Sequence, residues 1–102
     1  LRADALRIRA GLAASQGDPA AGDAYDKATQ ALRQVGSPYH LAVGLLDQAE
    51  HLTATGDPET ATALTVEAAS IAVTLNATPL IDRADHLTST AGKDADRTAV
   101  KR

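Results

Sequence analysis

The chain has 102 residues, 44% apolar content and a formal net charge of −3, the size and balance of one folded domain rather than a disordered or fibrous segment. It has no Cys, Met, Phe or Trp, and Tyr25 and Tyr39 are its aromatic residues, so a disulfide framework, a thiolate nucleophile and a zinc–thiolate centre are excluded. The acidic balance, the scarcity of aromatics and a set of basic residues gathered mostly near the two ends argue against a nucleic-acid partner.

Twenty-three alanines and so few large side chains require a core made by close approach of small residues, which favours helices packed on helices. The first predicted helix carries Leu6, Ala10 and Ala13 on one face and a second apolar stripe, Leu1, Ala5, Ile8 and Leu12, on the opposite one. A helix apolar on two sides is normally sandwiched. The prolines then punctuate the chain: Asp18-Pro19, Ser37-Pro38, Asp57-Pro58 and Thr78-Pro79, with the prolines 19, 20 and 21 residues apart. Each pair reads as a helix start, an N-cap side chain followed by a residue that loses no intrahelical bond at the first position. Gly17, Gly36, Gly56 and Asn76 stand just before them, residue types that tolerate the left-handed conformation closing a helix. Asn76-Ala77-Thr78 is formally a glycosylation sequon, but capping explains it better.

After Pro19 the apolar face is Ala21, Ala24, Tyr25, Ala28, Leu32 and Val35; after Pro38 it is Leu41, Ala42, Leu45, Leu46, Ala49 and Leu52. After Pro58 it is Ala61, Leu64, Ala68, Ile71, Ala72 and Leu75, with Val66, Ala69 and Val73 on the back, where contact with the next hairpin is expected. Leu80, Ala84 and Leu87 open a fifth helix, and the segment AGKDADRTAVKR from 91 to 102 is polar and expected to fray. The spacing predicts an all-α domain over residues 1–90, about five helices of roughly 16 residues each, with links so short that neighbours run antiparallel.

The octapeptide LLDQAEHL at 45–52 recurs as LIDRADHL at 80–87, a spacing of 35, and GDP at 17–19 recurs at 56–58. Periods of this length belong to helix-hairpin arrays. The tetratricopeptide pattern is met by Leu45, Ala49, Leu52, Gly56, Asp57, Ala61 and Ala68, and more loosely by Leu6, Ala10, Ala13, Gly17 and Asp18, with Gly22 where alanine is expected. In SPYHLAVGLLDQAEHL (37–52) and TPLIDRADHL (78–87) the chain resembles the tetratricopeptide-like C-terminal region of large bacterial multidomain regulators. In those proteins a nucleotide-cyclase-like or DNA-binding domain accompanies an AAA-type ATPase. The resemblance spans roughly residues 21–87 and rests on packing positions, while LNATP at 75–79 departs from the glycine or basic residue expected before the proline. It implies a sensing or scaffolding region of a signal-transduction protein, belonging to a longer chain, while the lack of a signal-peptide pattern or an apolar run long enough for a membrane span makes a cytoplasmic setting the expectation.

No phosphate-binding loop, dinucleotide fingerprint, nucleophile elbow or zinc-protease motif is present, so the expectation is a non-catalytic protein-interaction or regulatory module without a cofactor. Its partner is another part of the parent chain or a second copy, and neither nucleic acid nor membrane. The N-terminal stripe has three readings: an upstream hairpin covers it, a second copy covers it, or it faces solvent. Tyr39, His40, Asp47, His51, Asp82 and His86 are the polar candidates on the face made by the first helix of each hairpin. Asp47 with His51 and Asp82 with His86 are i, i+4 pairs that support a helix by about 0.2–0.5 kcal/mol each. The alternative is a small-ligand- or metal-sensing domain in which His51 and His86 converge across neighbouring helices.

Overall fold

A computed structural model describes the backbone of residues 3–100 and the side chains up to position 89, apart from that at position 4. Leu1 lies outside the described residues, and the expected polar tail at 91–102 falls where no side chain is described. The fold is all-α, with five helices: α1 (Ala3–Ser15), α2 (Ala21–Val35), α3 (Pro38–Thr55), α4 (Pro58–Leu75) and α5 (Thr78–Val100). Consecutive helices pack on one another along the chain, and α3 also touches both α1 and α5. With links of two residues between α2 and α3, α3 and α4, and α4 and α5, the chain can pack each helix on its predecessor only by turning back along it.

Those reversals come from the residues named by the sequence. Gly17, Gly36, Gly56 and Asn76 all adopt positive φ, at 69°, 78°, 93° and 54°. The reversal lets the N–H just past the helix reach five residues back: Asp18 to the Ala13 carbonyl at 2.9 Å, Asp57 to Leu52 at 2.8 Å and Ala77 to Ala72 at 2.9 Å. Carbonyls that would otherwise lack partners are thereby satisfied. Asn76 fills this role without glycine because its short polar side chain lowers the cost of the left-handed region.

Helix starts are less uniform than the four proline pairs imply. Asp57 caps α4, its carboxylate accepting from the Thr60 N–H at 3.3 Å. Ser37 stands at the cap position of α3, but its hydroxyl is engaged with His40 Nδ1 at 2.7 Å instead of the backbone. Thr78 is already the first helical residue of α5, so Ala77, one position earlier, holds the cap place. Asp18-Pro19 is not a helix start. The Asp18 carboxylate accepts from the Ala20 N–H at 2.9 Å, closing a local turn that delays α2 to Ala21. Ala21, not Gly22, is the buried residue at the start of α2, as Ala61 is near the start of α4, a spacing of 40 rather than the 39 that separates the two GDP segments.

Residues that recur in the sequence are buried alike. Ala10, Ala49 and Ala84 are 0%, 1% and 1% exposed, and Ala13, Leu52 and Leu87 are all half-buried. The main core lies between α3, α4 and α5, where Ala42, Leu45, Leu46, Ala68, Ala72, Leu80 and Ala84 are buried together and flanked by Leu41, Leu64, Ile71 and Ile81. Val35 and Leu75 leave the predicted stripes and are exposed, because each is the last residue of its helix, where the chain turns away from its neighbour. Val66 and Val73 are 63% and 64% exposed, so the expected cover on the back of α4 is not supplied by α5.

Polar groups inside this array are answered locally. The hydroxyls of Thr53, Thr62, Thr65, Thr74 and Thr88 donate to carbonyls four residues back at 2.8–3.0 Å, which lets a threonine-rich stretch remain helical. Between α2 and α3 the buried Gln48 forms a bridge that the apolar pattern does not announce. Its carbonyl accepts from the Thr29 hydroxyl at 2.7 Å, and its amide donates to Asp26 at 2.5 Å. Gly44 is buried where a methyl group would collide with Leu32, so α2 and α3 approach closely at this point.

Candidate functional site

α3 is bordered by both α1 and α5, so these three helices lie side by side along one face. Arg7 follows Leu6 by one residue, Asp47 follows Leu45 by two and Arg83 follows Leu80 by three, which offsets the three groups from equivalent packing positions. They meet across that face. Arg7 Nη1 donates to Asp47 Oδ2 at 2.8 Å, and Arg83 Nη2 donates to Asp47 Oδ1 at 2.7 Å. Arg83 also reaches Glu50, with Nη2 at 2.9 Å and Nε at 3.2 Å from the two carboxylate oxygens. Burial of the Arg83 guanidinium pulls its pKa down, but the hydrogen bonds to Glu50 and Asp47 and their charges outweigh this and leave it above the ordinary arginine value.

Asp47 therefore ties α1 and α5 to α3, and the helix-internal partnership expected with His51 gives way to these arginines. His51 packs instead on Tyr25 of α2, ring centroids 4.9 Å apart and the planes tilted by 31°. The two rings border a groove of about 570 Å³. Its walls are the end of α1 at Ala14 and Ser15, the link residues Gly17, Asp18 and Pro19, and Asp47, Glu50, Ala54 and Thr55 of α3. No lysine or arginine lines it.

Among the described residues no buried side-chain nitrogen or oxygen is left without a hydrogen-bond partner, and Tyr25 is 8% exposed. Burial raises its pKa above the ordinary value of 10.0, helped by the negative charges of Asp47 and Glu50 against weaker opposition from Arg7 and Arg83. The folded state thus favours the neutral phenol. That contribution is complete below the unfolded pKa and is lost as pH rises through the folded one. In a Tyr39→Phe variant, where Tyr25 is the remaining phenol, the phenolate absorbance should reach its midpoint above pH 10.0; a midpoint at or below that value would contradict the burial.

The other polar candidates are not brought to this groove. Tyr39 and His40 lie at the N-terminal end of α3, both exposed, with their rings edge to face at 5.8 Å. Asp82 and His86 are exposed on α5. Among the described residues no three His, Cys, Asp or Glu side chains stand close enough to hold a metal ion. Of the N-terminal stripe, Ala5 is half-buried, whereas Ile8 and Leu12 are 65% and 56% exposed.

Tyr25, Glu50, Arg7 and Arg83 escape a reading by motif. Tyr25 looks like a core residue because it is one, and its hydroxyl matters only once α3 is in place beside it. The arginines become legible after α1, α3 and α5 are recognised as stacked equivalents carrying opposite charges at nearby register. Among the described residues no helix is long and apolar enough to cross a membrane. No protein-family model, curated protein or solved structure matches the chain.

Proposed function

We propose that this chain is a non-catalytic protein-interaction module, a tetratricopeptide-like array that recognises its partner by shape and by the faces its own packing leaves open. The observation that carries this reading is the outer side of α1. Ile8 and Leu12 are large aliphatic residues one helical turn apart and more than half exposed, while Ala10 on the other side of the same helix is fully buried. Helical arrays extend by stacking a further helix on such a face. The occupant is another helical surface, belonging either to a longer parent chain or to a second copy. The ion-pair network of Arg7, Asp47, Arg83 and Glu50 supports the same reading, since it joins three successive first helices into one continuous face.

Light scattering on a size-exclusion column, over a hundredfold range of concentration, tests this. A second copy as occupant predicts a molar mass that rises with concentration and stays monomeric in Ile8→Glu/Leu12→Glu. A wild-type chain that is monomeric throughout would reject the second copy as the occupant. A dimer that survives both substitutions would place association elsewhere and contradict the role of α1.

A further inference from the structure

We infer that the open face of α1 on one copy of the chain stacks on the open back of α4 on another, so that copies join head to tail. The inference rests on reading the chain as a protein-interaction module, and it names the occupant of the α1 face as α4 of a second copy. Within one chain α1 and α4 make no contact, so both faces are free to meet a neighbour.

The back of α4 is unusual for a helix side turned to solvent. From Thr60 to Leu75 the helix carries a single charged residue, Glu67, and that carboxylate is engaged by Arg33 at 2.6 Å. The exposed side is instead made of Thr62, Ala63, Val66, Ser70 and Val73. Solvent-facing helix sides are normally rich in charge, whereas loss of charge marks the centre of an interface. Val66 and Val73 stand two helical turns apart on this side and are more than half exposed, as Ile8 and Leu12 are on α1.

The charges beside the two faces are opposite, and they select the pairing. Arg9 is exposed, follows Ile8 and precedes Leu12 by three residues, so it flanks the α1 stripe. Glu59 is exposed, two turns before Val66 on the same side of α4. Neither makes an ion pair among the described residues. In an isologous contact a patch meets itself, so α1 on α1 would gather arginines and α4 on α4 would gather glutamates. Stacking α1 on α4 brings Arg9 of one copy to the same contact as Glu59 of the next. Such a heterologous contact leaves one open face at each end, and the assembly can grow.

The test is complementation between two blocked variants of the 102-residue chain, by light scattering at concentrations up to about 1 mM. Ile8→Glu/Leu12→Glu blocks α1 and keeps the back of α4; Val66→Glu/Val73→Glu does the reverse. The wild type should pass the mass of a dimer as concentration rises. Each variant alone should stay monomeric, and their equimolar mixture should form a species of twice the mass of one chain and no larger. Arg9→Glu and Glu59→Lys, which leave the apolar residues in place, should each weaken association about threefold or more, and the double reversal in one chain should restore it. A wild type that stays monomeric, or variants that fail to combine while circular dichroism shows both folded, would overturn the head-to-tail contact. If Val66→Glu/Val73→Glu still dimerised and Ile8→Glu/Leu12→Glu did not, α4 would be removed as the occupant while α1 remained an interface. Association that survived in both variants would remove the α1 reading as well.

Discussion

Leu45→Ala is expected to destabilise the fold by about 3 kcal/mol, the range found for large-to-small changes at sites that cannot collapse around the cavity. Leu45 is fully buried between neighbours that are mainly alanines and leucines. Alanine methyls have no rotamers with which to move into the vacated space, so the hole persists. In a domain of this size, with a total stability of about 5–15 kcal/mol, the loss takes away a large share. It should lower the melting temperature by roughly 12–24 °C. Circular dichroism at the helix band against temperature or urea checks this, and a shift of only a few degrees would mean that α3 is not held as described.

The second large effect has the opposite sense of volume. Ala68→Leu should cost about 2–3 kcal/mol through overpacking, although leucine is nearly as good a helix former as alanine. Ala68 faces the core shared by α3 and α4, fully buried alongside Ala42 and Ala72. Added carbons there must push α4 away from α3 and uncover the contacts around them. Ala63→Leu, on the exposed side of the same helix, is the matched control and should change stability by about 0.5 kcal/mol or less. Equal unfolding midpoints for the two variants would contradict a core built on close helix approach.

These effects follow from features that the sequence displays openly. Gly17, Gly36, Gly56 and Asn76 are legible because few residue types accept positive φ, so their recurrence marks the ends of helices. The recurrence of Leu45 and Ala49 as Leu80 and Ala84 is legible because equivalent helices bury equivalent side chains. Legibility fails where a local hydrogen bond or a neighbouring helix decides. Asp18 uses its carboxylate to close a turn with Ala20, which delays α2 to Ala21, and it is Ala21 rather than the expected position 22 that is buried. Gln48 reads as surface, yet it is buried because Thr29 and Asp26 from α2 satisfy it.

The candidate site was legible to a smaller degree, for the same reason. Asp47 and His51 stand out as an i, i+4 pair, but that spacing records only proximity on one helix. Arginines from α1 and α5 engage Asp47, while Tyr25 from α2 receives His51. Such competition is set by tertiary neighbours rather than by the period of the sequence. Within the N-terminal stripe, Ile8 and Leu12 are legible as apolar residues on the side of α1 opposite Ala10 and are exposed, whereas Ala5 is half-buried.

The central claim is that this α1 face is an interface and not part of the domain's core. Urea unfolding of Ile8→Glu/Leu12→Glu at low micromolar concentration, where self-association is negligible, tests it most directly. The account predicts a stability within about 0.5 kcal/mol per site of the wild type, as for surface positions generally. A loss approaching that of Leu45→Ala would mean that Ile8 and Leu12 support the fold itself, and would contradict their assignment to a partner.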